Sequence, residues 1–142
     1  MPLEPGSFRI QTKPPSDIHP DYATAEERET PVLVSPRITP FGIQMWEVSL
    51  LPDGQWTITA PGGGGWGRAK DAPGEDVLFT NAIKHWIITP HEDGGCVISI
   101  PATGWGVIWA ATVEDGHLVI KSYGVAPDVK LPTWWFVLNN SD

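Results

Sequence analysis

A short pattern recurs three times in this chain and limits the folds open to it. Gln44-Met45-Trp46-Glu47-Val48 returns as Lys84-His85-Trp86-Ile87-Ile88 and again within Thr133-Trp134-Trp135-Phe136-Val137, each time a Trp, one residue, then an aliphatic. A second pattern opens on Gly: Gly6-Ser7-Phe8-Arg9-Ile10, Gly54-Gln55-Trp56-Thr57-Ile58 and Gly94-Gly95-Cys96-Val97-Ile98. The openings at Phe8, Trp56 and Cys96 lie 48 and 40 residues apart, and the Trp closings at 46, 86 and 135 lie 40 and 49 apart. A period near 40–50 residues marks a repeat architecture in which each unit needs its neighbours to bury its apolar face.

Between opening and closing, the apolar runs are short and alternate with Gly, Pro, Asp and Asn, which is a strand pattern. The runs predict strands at 7–11, 22–25, 32–35 and 45–50, at 55–60, 65–69, 77–80 and 85–89, and at 96–100, 107–111, 117–122 and 134–138. No window sustains the three-to-four-residue apolar spacing of a helix. Fifteen Gly and fifteen Pro supply the turns. Pro14, Pro15 and Pro20 stiffen the first connection, and Pro61 followed by four glycines frees another. Twelve strands in three pseudo-symmetric four-strand repeats (about 6–52, 53–92 and 93–139) predict an all-β β-trefoil, a single domain over 1–142. Its closed barrel removes the sheet edges that a chain without helices cannot cover. One Trp per repeat, Trp46, Trp86 and Trp135, is expected to fill that barrel.

Known catalytic signatures are missing: there is no Gly-x-Ser-x-Gly, no His-Glu-x-x-His and no phosphate loop, since the Gly62–Gly67 run has no Lys-Ser/Thr after it. His19, His85, His91 and His117 are not at metal spacing, and the pairs Glu92/Asp93 and Glu114/Asp115 fall in turns. A non-enzyme without metal or cofactor is expected. Seventeen acidic against nine basic residues, a formal charge of −8, repel phosphate backbones and acidic membranes, so neither is an expected partner. Cys96 is the sole cysteine, so no internal disulfide forms. No signal peptide and no membrane span is visible, which points to a cytoplasmic protein.

The tryptophans are the better clue. With the closing residues and Trp56 assigned to strands, Trp66, Trp105, Trp109 and Trp134 remain of eight. Trp66 lies between Gly65 and Gly67, and Trp105 between Gly104 and Gly106, where no flanking side chain shields the ring. An indole so placed is a candidate platform for a sugar face or a partner's side chain.

These residues resemble two groups of small fungal trefoil proteins over essentially the whole chain. Thr30-Pro31-Val32-Leu33-Val34-Ser35-Pro36, Trp56-Thr57-Ile58 and Gly65-Trp66-Gly67 resemble the ricin-B-like (R-type) mushroom lectins, nearest a Coprinopsis lectin for fucosylated chitobiose; Gln44-Met45-Trp46 keeps their Gln-x-Trp. The resemblance implies a glycan or glycoprotein partner of GlcNAc/fucose or galactose type. Its site would comprise Trp66, Phe79, Ile83, Lys84, His85 and Trp86, with a possible second site at Trp105 and Trp109. Lys84 and His85 stand where that lectin has other polar residues, and both can donate to hydroxyls. Asp21-Tyr22-Ala23-Thr24-Ala25-Glu26, Pro31-Val32 and Asp53-Gly54-Gln55-Trp56-Thr57-Ile58 resemble instead the mycocypins and related fungal protease inhibitors. That resemblance implies a protease as alternative partner. It would be met by loops 13–20 (with Pro14 and Pro15) and 36–42 (with Pro40) against a papain-like enzyme, or by Arg28 against a trypsin-like one.

Overall fold

A computed structural model describes residues 3–38 and 41–138. Its strands are β1 (Gly6–Gln11), β2 (Tyr22–Thr24), β3 (Thr30–Pro31), β4 (Leu33–Ser35), β5 (Trp46–Leu50), β6 (Trp56–Thr59), β7 (Gly65–Gly67), β8 (Leu78–Thr80), β9 (Ile87–Pro90), β10 (Cys96–Ile100), β11 (Val107–Glu114), β12 (His117–Gly124) and β13 (Trp135–Leu138), with one 3₁₀ turn at Phe41–Gln44. None of the described residues forms an α-helix, and no helix is long and apolar enough to cross a membrane.

The repeat pattern becomes a closed barrel through its pairing register. Phe8 pairs with both Trp46 and Leu138, Trp56 with both Trp86 and Leu50, and Cys96 with both Trp134 and Pro90. Each opening residue therefore binds the closing Trp of its own repeat and the residue four past the closing Trp of the preceding one. The ring β1–β5–β6–β9–β10–β13 returns to β1, so no edge is left in it. The chain is a β-trefoil of three four-strand repeats.

The remaining strands form three hairpins that cap one end. They meet at the pseudo-threefold axis in a cycle of backbone bonds: Val32 N–H donates to Val77 O (2.8 Å), Val77 N–H to Leu118 O (3.1 Å) and Leu118 N–H to Val32 O (2.8 Å). All three side chains are fully buried. The expected strand 32–35 starts one residue later, as β4 at Leu33, because Val32 turns its amide to the axis; β3 on its other side pairs with β8 instead.

One expectation about the core is corrected. Trp134, not Trp135, is the closing residue of the third repeat. Trp134 is buried and pairs with Cys96, while Trp135 lies opposite Gln11 and is only half-buried.

Candidate functional site

The expected tryptophan platform is in the core. Trp66 and Trp86 are 0% exposed and Phe79 is 7% exposed, so none of the three offers a ring face to a ligand. The reason lies in the repeat frame. The indole N–H groups of Trp46, Trp86 and Trp134 donate to the carbonyls of Ala23, Trp66 and Ala111 at 3.0, 3.1 and 3.0 Å. Ala23, Trp66 and Ala111 thus occupy equivalent positions. Two methyl groups leave the axis empty, and the single indole of Trp66 fills it, edge-on to Trp46, Trp86 and Trp134 with ring centroids 5.7, 6.2 and 6.5 Å away. Such T-shaped pairs suit the ring quadrupoles. The flanking glycines answer to backbone packing. A Cβ on Gly65 would sit 2.4 Å from Ile58 O, and one on Gly67 2.6 Å from Ala82 O.

Ile83, Lys84 and His85 do reach the surface. With Gln55, Arg68, Asp71 and Pro101 they line a shallow depression of about 410 Å³. Arg68 forms its floor, bound through Nε to Asp71 (2.7 Å) and through Nη1 to the carbonyl of His85 (2.9 Å), with its guanidinium 4.7 Å above the Trp86 ring. The depression therefore joins the buried ring to the surface through a cation–π contact. In the third repeat Trp105 is fully exposed, whereas Trp109 is half-buried against the core. The two do not share an environment.

The loops expected to meet a protease are built differently. Residues 12–21 leave β1 and return to β2 with both ends clamped, since Thr12 N–H donates to Asp21 O at 3.0 Å. Within the loop Asp17 N–H donates to Pro14 O (2.9 Å) and His19 N–H to the Asp17 carboxylate (3.0 Å). Pro14 and Pro15 are exposed, as their fixed φ allows in an unpaired segment. Ile18, which the sequence reading did not single out, is 84% exposed. Its only signal was an aliphatic residue inside a proline-bounded polar loop.

The second loop is described at residues 36–38 and again in the 3₁₀ turn at Phe41–Gln44; Pro40 lies outside the described residues. Buried Gln44 anchors it, donating to Pro36 O (2.9 Å) and to the hydroxyls of Thr24 and Ser35 (both 3.2 Å), and accepting from Ile38 N–H (3.0 Å). The Gln of Gln-x-Trp is thus a loop anchor, and its neighbour two residues on is a barrel plug. The two loops stand side by side. Ile18, His19, Pro20, Asp21 and Tyr22 from one, and Pro36 and Arg37 from the other, line a common groove of about 410 Å³. Arg28 sits elsewhere and is engaged: its guanidinium lies 5.6 Å from the Phe79 ring centre and donates to Gly63 O at 3.2 Å.

A larger hollow of about 600 Å³ adjoins the first loop, with Lys13, Asp93, Tyr123, Lys130, Thr133 and Trp135 in its wall. Burial raises the Asp93 pKa, but the Gly95 N–H, the Thr133 hydroxyl and His91 outweigh it and hold the carboxyl below its ordinary value. Burial lifts the Cys96 thiol above its ordinary value. No group of three or more metal-ligating side chains occurs among the described residues.

The sequence profile of the peptidase inhibitor clitocypin matches residues 6–136. The chain belongs to the clitocypin family. It is 30% identical to clitocypin-4/-3 of Clitocybe nebularis across 94% of this chain and 96% of that protein. Solved structures of similar shape include the Macrolepiota procera ricin B-like lectin in complex with lactose (TM-score 0.69, 14% identity, 98% of this chain and 100% of that one). Another is the designed threefold-symmetric protein ThreeFoil (TM-score 0.64, 16% identity, 93% and 98%). A third is the Rhizoctonia solani agglutinin (TM-score 0.64, 14% identity, 98% and 99%). Both resemblances read from the sequence are therefore present, the lectins through the fold and the inhibitors through the family.

Proposed function

We propose that the chain inhibits papain-like cysteine peptidases by wedging loops 12–21 and 36–44 together into the active-site cleft. The observation that carries this is the juxtaposition of two base-anchored loops around one groove, with Ile18 projecting beside it. An exposed aliphatic is an anchor for an apolar subsite. Loops held by Gln44, by the Thr12–Asp21 clamp and by prolines lose little freedom on docking. No bond is made or broken; inhibition is occlusion. The test is titration of papain with the whole chain and with Ile18→Asp. Tight inhibition by the former, weakened about tenfold or more in the variant with unchanged melting, supports the reading. A chain that leaves papain fully active overturns it. Arg28, the contact expected for a trypsin-like enzyme, lies apart from these two loops, with its guanidinium on Phe79 and Gly63 O.

A second reading, glycan binding, rests on the depression at Ile83, Lys84 and His85, whose exposed donors suit sugar hydroxyls. A trefoil of similar shape is known in complex with lactose. A glycan array read with the wild type and with Lys84→Ala/His85→Ala decides it. Binding lost in the double variant supports this site, and silence on the array removes it.

A further inference from the structure

Trp105 is fully exposed, while Trp46, Trp66, Trp86 and Trp134 are buried to within 2%. A large ring held in water does nothing for folding, and with Val125, 62% exposed and bonded through its backbone to the same loop, it forms an exposed apolar patch of the kind that marks an interaction site. Its loop, residues 101–106, follows the opening strand of the third repeat (β10) and leads into the second (β11). Loop 12–21 does the same between β1 and β2 in the first repeat. The two are threefold equivalents, one exposing Ile18 and the other Trp105.

The loop is firmly seated. Ile100 pairs with Trp109 and Val107 with Gly124 at its root, and the Gly106 carbonyl accepts Val125 N–H at 2.8 Å. Gly106 adopts φ +66°, a left-handed turn that suits glycine, and with Gly104 it leaves no side chain on either flank of the indole. The segment Pro101-Ala102-Thr103-Gly104-Trp105-Gly106 carries no charge. Beside it Ile108, Val125, Ala126, Pro127, Val129 and Leu131 line an apolar groove of about 320 Å³.

We propose that loop 101–106 is a second peptidase-binding loop, with Trp105 entering the specificity pocket of a chymotrypsin-like serine peptidase. This rests on the inhibitor reading above and names a further partner class for it. A chymotrypsin-type pocket is a hydrophobic slot, whereas a trypsin-type pocket ends in a carboxylate and calls for a cation. An uncharged loop with a bare indole between glycines matches the former. The neighbouring apolar groove receives the enzyme's rim.

The experiment titrates chymotrypsin, trypsin and papain with the full chain, Trp105→Ala and Trp105→Arg. Neither substitution should move the melting temperature, since the indole buries nothing. The expected result is inhibition of chymotrypsin by the wild type, weaker by about a hundredfold in Trp105→Ala. Inhibition should be transferred to trypsin in Trp105→Arg, with papain inhibition equal in all three. Papain inhibition without chymotrypsin inhibition, or chymotrypsin inhibition that survives Trp105→Ala, overturns this proposal and leaves the paired-loop reading standing. Cleavage after Trp105 without inhibition also overturns it. Chymotrypsin inhibition dependent on Trp105, with papain untouched, supports this loop and overturns the paired-loop reading alone.

Discussion

The indole N–H of Trp86 donates to the backbone carbonyl of Trp66 at 3.1 Å, so two residues that the lectin resemblance placed in one sugar site are instead ring and strand of one barrel bond. The same bond joins Trp46 to Ala23 and Trp134 to Ala111. Three tryptophans hold the symmetric frame, and a fourth, Trp66, breaks the symmetry by filling the axis alone. The surface is then left to the loops, which differ between repeats while the frame does not.

Trp66 should accordingly be the most expensive of the non-frame aromatics to remove. Trp66→Ala deletes a fully buried indole surrounded by rigid rings, and is expected to cost about 3–5 kcal/mol in urea unfolding. Trp66→Phe should cost less than half as much, because the Trp66 N–H is buried without an acceptor among the described residues, and phenylalanine removes that group. Equal destabilisation by the two would contradict the assignment of Trp66 as an axial plug.

How far the sequence is legible follows from residues such as these. The recurrence of Gly-opened and Trp-closed segments carries the fold, because opening and closing residues pair directly, as Phe8 does with Trp46. The loop positions follow from the prolines. What local pattern does not contain is which of two adjacent tryptophans points inward. Trp134 and Trp135 both fit a closing strand, and the difference lies in a pairing with Cys96, 38 residues earlier. Gly65-Trp66-Gly67 misled for a related reason. Its glycines admit the close approach of Ile58 and Ala82 from elsewhere in the chain, which resembles exposure when read in one dimension.

The doublet itself gives a clean contrast. Trp134→Ala removes a buried ring with an N–H bond to Ala111 and should cost about 3–5 kcal/mol. Trp135→Ala removes a half-buried ring resting against the Gly94-Gly95 turn and should cost well under half of that. Thermal melts of the two variants, compared side by side, test this; a reversed order would restore Trp135 to the core.

Asp93 supplies a pH dependence of known sign. Its folded-state pKa lies below the ordinary value of 3.8, so the unfolded chain takes up a proton first as pH falls. The stability it contributes is fully present above about pH 5, and is lost as pH drops through 3.8 and then through the lower folded value. Asp93→Asn should therefore be less stable than wild type above pH 5, with the margin closing below pH 4. The partners to keep in place are Gly95 N–H, the Thr133 hydroxyl and His91. A margin that widens below pH 4 would refute the assignment.

Gln44 connects the frame to the function. Its amide satisfies Pro36 O, the Thr24 and Ser35 hydroxyls and the Ile38 N–H, all at the root of the second loop. Gln44→Ala strands these groups in a buried site, at about 1–3 kcal/mol. It also lets the loop explore conformations that must be given up on docking, so papain inhibition should weaken by about tenfold through the added ordering cost. Gln44→Glu retains the acceptor for Ile38 but loses the donor to Pro36, and should fall between the two. Hydrogen exchange at the Ile38 amide separates the effects: faster exchange with weaker inhibition is the expected pair. Unchanged exchange together with unchanged inhibition would mean that this loop is neither held by Gln44 nor used against the enzyme.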